Sequence, residues 1–163
     1  MSEPNAGSDL KRLATTAKKD GKEYVINGQK VFISNGQIGD VFIVAAKTDK
    51  DNSTNSMSLF LVESNRKGFS RGKNLKKIGA KAQDTSELFF DNVHIPEENL
   101  IGPSEGNGFR QLMHGLARER LAIAVGCVAK AEGALSNTLD YIVERELFGK
   151  KLYDFQNTQF KLA

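Results

Sequence analysis

Glu119 is the residue whose type and position most invite chemistry. Leu112, Leu116, Glu119 and Ile123 follow 4-3-4 spacing, so on a helix they share one face and Glu119 interrupts an apolar stripe. A carboxylate in such a stripe is expected to be partly desolvated, which raises its pKa and makes it a better general base near neutral pH. The same position suits a structural ion pair with Arg118 or Arg120. A second candidate is Phe32-Ile33-Ser34 at the end of a strand-like run. An aromatic two residues before a hydroxyl places a flat face and a hydrogen-bonding group on one side. That suits a stacked ring cofactor, and it suits an ordinary core Phe beside a turn Ser. A third is Glu3-Pro4-Asn5-Ala6-Gly7-Ser8-Asp9. Its small and turn-forming residues could bring backbone N–H groups against a phosphate or a ring edge, or could simply make a turn.

Other reactive types carry less. His94 and His114 have no Cys, His or Asp at ligand spacing, so no metal site is expected. Cys127 is the only cysteine, which excludes an internal disulfide. Its apolar neighbours, Ala124 to Ala129, predict a small buried hydrophobe in a reducing compartment. Seven basic residues fall between Arg66 and Lys81 with no acid among them. They predict a solvated hairpin or edge strand, where Lys discourages edge-to-edge pairing. The formal net charge of +3 is weak evidence for a polyanionic partner, and Phe69 alone interleaves the basic run, so nucleic acid is not an expected ligand.

These candidates need elements to hold them. The first hundred residues carry strand signals. Glu23–Ile26 and Lys30–Ser34 flank Asn27-Gly28, which predicts a hairpin with a type I′ turn. A second turn follows at Asn35-Gly36. Asp40–Ala46 reads as a buried strand, Ser58–Glu63 and Glu87–Ile95 as two more, and Asp49–Asn55 as a polar loop. Short strands at this spacing, without helices between, predict an antiparallel barrel or sandwich. Gly102 to Gly108 holds three glycines and Pro103, and marks a boundary. From Phe109 the apolar period becomes helical and runs to about Glu146, where Phe148-Gly149-Lys150 breaks it. A second helix is expected after Leu152, with Asp154 as its N-cap, reading through Ala163 as a helix cut mid-course. The expected class is therefore α+β: an antiparallel β-barrel domain over 1–102, then long helices of an incomplete bundle over 103–163. No run is long and apolar enough for a membrane span, and no signal peptide is visible.

Taken in order, these segments resemble the acyl-CoA dehydrogenase family over essentially the whole chain. The carriers are Ser2 to Asp9, Asn27 to Gly36, Lys67-Gly68-Phe69, Ile78-Gly79 with Asp84-Thr85, and Val93 to Pro96. They continue with Gly108-Phe109, Glu119-Arg120-Leu121, and Arg145 to Lys150 with Phe155-Gln156. Lys30 to Gly36 and Lys81 to Thr85 resemble the long-chain branch in particular. The resemblance implies FAD-dependent α,β-dehydrogenation of a fatty acyl-CoA to the trans-2-enoyl-CoA, as in β-oxidation, with electrons passing to an electron-transfer flavoprotein. It implies a homotetramer in a bacterial cytosol or a mitochondrial matrix. An N-terminal helical domain and the rest of the helical bundle would lie outside this chain.

Site roles follow from the same resemblance. Met1, Ser2 and Gly7 would meet the flavin through their backbone, and Phe32 would stack beside the ring where many relatives carry Trp. Ile33 would line the same stretch, and Ser34 would donate to the hydride-accepting nitrogen. Arg145 and Gln156 would reach the FAD of a neighbouring subunit. Ser8 would contact the acyl-CoA, with Ala117, Arg118 and Arg120 beside the base. In the long-chain and isovaleryl branches the glutamate of the Glu-Arg-Leu element is that base, which favours the base reading of Glu119 over the ion pair. An oxidase of the same fold and a non-catalytic binding domain are the alternatives.

Overall fold

The structure, a computed structural model, describes residues 1–49 and 56–163. The polar loop expected at Asp49–Asn55 lies outside them from residue 50 onward. The chain divides into two compact units, Met1–His114 and Gly115–Ala163. The architecture is mixed α+β, with one sheet and one long helix.

The first unit is a six-stranded sheet. Its strands are β1 (Thr16–Asp20), β2 (Glu23–Ser34), β3 (Val41–Lys47), β4 (Met57–Glu63), β5 (Phe69–Asn74) and β6 (Thr85–Pro96). They lie in the order β4-β3-β1-β2-β6-β5. The expected closed antiparallel barrel is not formed. β4 and β5 stand at opposite ends of the order, and β1 meets β3 in parallel at Thr16 and Lys47. One edge is closed by the chain itself. Phe60 bridges to Leu100, Ile101 N donates to Leu59 O at 2.8 Å, and Asn99 Nδ2 donates to Leu61 O at 2.7 Å. β4 therefore has its backbone groups answered without closure onto β5. The other edge is β5, which carries Arg71 and Lys73 of the basic run, as expected for an edge strand.

The predicted hairpin at Asn27-Gly28 is also corrected, because β2 runs straight through it. The hairpin turn is Gly21-Lys22, between β1 and β2, with Gly21 at φ 60°. Asn27 instead faces a bulge in which Asp91 and Asn92 of β6 oppose one residue of β2. Asn92 N donates to Asn27 Oδ1 at 2.9 Å, and Asn92 adopts φ 50°. Gly28 is there for space: at φ 149°, a Cβ would lie 2.4 Å from Thr15 Oγ1 and 2.7 Å from Thr15 Cα. A similar constraint acts at Gly68, at φ 88°, where a Cβ would lie 2.0 Å from the Asp91 carbonyl oxygen.

The sheet holds two apolar clusters. Tyr24, Ile26, Phe42, Val44, Phe60 and Val62 pack with Leu88, Phe90, Val93 and Ile95 on one face. Alternation sends Ala45 and Leu59 to the other face, where they meet Ala6, Leu13 and Met57, with Phe109 and Leu112 packed against them. β3 is not the fully buried strand predicted, because Val41 and Ile43 are exposed at its first half. β1 was not expected, and β5 was expected only as an edge strand within the basic run. Neither Thr-Ala-Lys-Lys-Asp nor Phe-Ser-Arg-Gly-Lys-Asn alternates apolar with polar residues.

α1 (Gly108–Glu144) starts close against β4, where a Cβ on Gly108 would lie 2.9 Å from Met57 O. In the second unit its apolar positions, Leu121, Ile123, Val128, Leu135 and Leu139 among them, are exposed, and Ile142 is buried. Cys127 is exposed too, contrary to expectation, because no element of the described chain covers that stretch. A two-strand ribbon follows, β7 (Glu146–Leu147) and β8 (Lys150–Lys151), turning at Phe148 and Gly149 with φ 52° and 77°. α2 spans Gln156–Leu162. Asp154 does not cap it: Phe155 holds the N-cap position, and Asp154 Oδ2 accepts from Lys151 N at 3.1 Å, closing a 3₁₀ turn. Among the described residues no helix is long and apolar enough to cross a membrane.

The close approach at Gly28 predicts that Gly28→Ala in the full-length protein destabilises by about 2–3 kcal/mol, since neither the clash nor the backbone angle can relax independently. Gly21→Ala meets no atom within 4 Å and should cost about 1 kcal/mol. Thermal melts of the two variants, compared with the parent, check the ranking.

Candidate functional site

The first unit organises its candidate residues around a buried charge. By alternation from Tyr24 and Ile26, Lys30 of β2 falls on the core side of the sheet, and it is 3% exposed. A buried ammonium must have its three protons accepted. Lys30 Nζ donates to Glu3 Oε1 at 2.7 Å, to the Ala45 carbonyl of β3 at 2.7 Å, and to the Met1 carbonyl at 3.3 Å. Glu3, 7% exposed, is satisfied in turn. Its carboxylate accepts from Ala14 N at 2.6 Å and from Thr15 N at 3.1 Å. Burial alone would raise the Glu3 pKa, but the bonds from Lys30, Thr15 and Ala14 outweigh it and hold the carboxyl below its ordinary value. Burial pulls the Lys30 pKa down, and Glu3 opposes that pull.

Around this pair the N-terminal stretch is folded onto β2. Glu3 and Ala6 exchange backbone bonds at 2.8 and 3.1 Å, so Glu3-Pro4-Asn5-Ala6 is a tight turn. Val31 N donates to Ser2 O at 2.9 Å, which places Met1 and Ser2 alongside Lys30, Val31 and Phe32. Met1 is exposed and Ser2 half-buried. Gly7 and Ser8 are exposed beyond the turn, and a Cβ on Gly7 would meet nothing within 4 Å.

Immediately after Lys30, β2 bulges: Lys30 pairs with Leu88 and Ile33 with Ser86, so Val31 and Phe32 oppose one residue. Phe32 takes φ 60°, a conformation that bulky residues rarely adopt. Without the bulge, Phe32 would share Lys30's inward face. With it, Ile33 packs against the core and Phe32 faces out, 68% exposed, with Ser34 also exposed two residues on. Both residues of that candidate are exposed, and the Phe is not an ordinary core residue. A large strained aromatic held in water is a feature that a flat partner would cover.

In the second unit Glu119 is exposed, not desolvated as its stripe predicted, because no part of the described chain packs on that face. Nor does it form the alternative ion pair: among the described residues no salt bridge joins it to Arg118 or Arg120. Its carboxylate lies back over Gly115, where a Cβ would be 3.3 Å from Oε1. Ala117, Arg118 and Arg120 are exposed on the same helix. Arg145 and Gln156 bracket the β7–β8 ribbon and are exposed. The backbone fixes this bracket, with Arg145 N donating to Tyr141 O at 2.9 Å and Leu152 N to Arg145 O at 2.8 Å. His94 is a surface residue, 3.0 Å from Glu23 Oε2, and among the described residues no group of three or more His, Cys, Asp or Glu could hold a metal.

The sequence reasoning missed the Lys30–Glu3 pair. The available signal was a Lys at an inward position of an alternating strand, a place where charge occurs only when it is answered. Glu3, lying in a turn, gave no such signal.

Comparison with known proteins gives a consistent match. The acyl-CoA dehydrogenase middle-domain family matches residues 1–93, and the acyl-CoA dehydrogenase C-terminal domain family matches 106–163. The chain is 48% identical to the long-chain specific acyl-CoA dehydrogenase of Sus scrofa mitochondria, over all of this chain and 38% of that protein. It is 42% identical to a short-chain specific acyl-CoA dehydrogenase of Clostridium acetobutylicum, over all of this chain and 43% of that protein. The crystal structure of an acyl-CoA dehydrogenase from Geobacillus kaustophilus superposes with a TM-score of 0.93 at 47% identity, covering 99% of this chain and 43% of that one. The chain thus spans about two-fifths of the length of these relatives.

The buried pair predicts a specific acid sensitivity. Because the Glu3 pKa is lowered on folding, its contribution is fully present above the unfolded value of about 4.3 and is lost as pH falls through the folded one. Glu3→Gln should cost about 3–5 kcal/mol at pH 7, by leaving Lys30 without its counter-ion. The gap between variant and parent should narrow below about pH 4. Thermal melts of both proteins from pH 7 to pH 3 measure this.

Proposed function

The chain belongs to the acyl-CoA dehydrogenase family, and we propose that the full-length protein carries out FAD-dependent α,β-dehydrogenation of a long-chain fatty acyl-CoA to the trans-2-enoyl-CoA, in fatty acid β-oxidation. The observation that carries this is the exposed Phe32, held at φ 60° on a bulge with Ser34 beside it. The residues present fit FAD, since a planar ring system is the partner such a face suits, and an FAD complex is among the solved structures the chain resembles. Phe32 supplies the stacking face. Ser34 offers a hydroxyl, Met1 and Ser2 offer backbone groups alongside Phe32, and Gly7 offers its backbone from beyond the turn; Ile33 anchors this stretch to the core. Arg145 and Gln156 serve a cofactor bound by a neighbouring subunit of a homotetramer. Functionally, 1–102 is the cofactor-binding domain and 103–163 the start of the helical domain.

Bound FAD supplies the acceptor for the β-hydrogen, which leaves with its electron pair. Glu119 takes the α-proton, and loss of the two leaves a Cα=Cβ double bond. The covering acyl chain would desolvate the carboxylate at the moment it acts, which strengthens it as a base. Ser8, Ala117, Arg118 and Arg120 position the acyl-CoA. The long-chain assignment rests on the resemblance of Lys30 to Gly36 and of Lys81 to Thr85 to that branch and on the likeness to the Sus scrofa protein. An electron-transfer flavoprotein is the proposed electron acceptor, and a bacterial cytosol or mitochondrial matrix the compartment.

Mixing the full-length protein anaerobically with a long-chain acyl-CoA should bleach its flavin absorbance. Glu119→Gln should retain flavin and bleach about 10²- to 10⁴-fold more slowly, the usual contribution of a general base. Bleaching at the parent rate would move the base elsewhere. In a second test, Phe32→Ala should leave Tm within about 2 °C of the parent, since the ring is exposed. It should weaken FAD binding about two- to tenfold, the value of an aromatic stack, as followed by fluorescence titration of the apoprotein.

A further inference from the structure

We infer that Lys30 and Glu3 are positioning residues for the cofactor cradle: the Lys30 ammonium, anchored by Glu3, holds the Met1 carbonyl and so fixes the Met1–Ser2 backbone beside Phe32. The inference rests on the flavin reading of that face. Neither side chain is exposed enough to touch a ligand itself, so any effect on the cofactor passes through the backbone they hold.

Three observations support a role beyond packing. The ammonium joins three stretches of chain: Met1 and Glu3 in the N-terminal segment, β2 through its own backbone, and β3 through the Ala45 carbonyl. Two of these stretches carry the proposed flavin contacts. The knot also sits at the bulge. Lys30 is the last residue in regular register before Phe32 turns outward, and Val31, between them, donates its backbone N–H to the Ser2 carbonyl. Finally, stability alone does not call for charge here. Buried ion pairs replaced by well-packed apolar side chains are often as stable or more so. An apolar side chain could pack beneath β2, but it could not donate to the Met1 carbonyl. The charge therefore supplies direction, which packing does not.

The decisive variant is Glu3→Gln with Lys30→Met in the full-length protein. It carries no unanswered charge, and the amide oxygen introduced by Glu3→Gln keeps an acceptor for the Ala14 or Thr15 N–H. If the pair is merely structural, the double variant recovers stability and flavin binding together. If it positions the segment, the two separate. The apoprotein Tm should return close to the parent value. The Kd for FAD should rise about ten- to a hundredfold, the worth of one hydrogen bond from a charged donor. The flavin midpoint potential should fall, because backbone N–H groups that favour the reduced ring are displaced. Parent-like Kd and potential in a folded double variant would overturn the proposal. Should that variant not fold, Glu3→Gln alone decides by the same titration, with an unchanged Kd again fatal. Absence of FAD from the parent protein would instead remove the flavin reading, and this proposal with it.

Discussion

A positive charge cut off from water has to be answered on every side, and the Lys30 ammonium is answered by acceptors from the N-terminal segment and from β3. That requirement sets the local order of the first unit. The N-terminal segment cannot drift from β2 without stranding a charge, and β3 cannot separate from β2 without losing the Ala45 carbonyl. Glu3 extends the constraint to Ala14 and Thr15, at the entrance to β1. One interaction thus ties together the N-terminal turn and the three central strands. A hydrophobic contact of equal strength would tolerate sliding; a set of directed hydrogen bonds does not.

β2 shows how a single strand can serve the core and a surface site. Its alternation puts Tyr24, Ile26 and Lys30 inward through a first bulge whose extra residue lies on β6, and a second bulge, on β2 itself, then shifts the phase. The first, at Asn27, sits where Gly28 lets the backbone come close to Thr15. The second turns Phe32 outward and returns Ile33 to the core. An unbroken strand of this length would have buried the aromatic beside a lysine. Bulges cost pairing locally, and here the second frees a flat apolar face from the core.

The order of β-rich and helical halves was legible because β-branched and aromatic runs, and later a helical period, are properties of the residues themselves. β1 was not legible, and β5 only as a basic edge: their polar sequences become strands because neighbours offer backbone partners. The Asn-Gly signal at 27–28 misled for a related reason, since glycine was required by a close approach from Thr15, a contact distant in sequence. Openness of the sheet depended on Leu100 and Ile101 reaching back to β4. Glu119 and Cys127 mark another limit. Apolar spacing on a helix says that a face is made to be covered, not that this stretch of chain covers it.

Gly68 carries a consequence at the level of the gene. The chain passes so near the Asp91 carbonyl that no β-carbon can be accommodated, and the left-handed backbone there compounds the difficulty. Every missense change reachable from a glycine codon by one base introduces a β-carbon. Selection at this codon should therefore tolerate silent changes only, making residue 68 a fixed point while the solvated Lys67 beside it is free to vary.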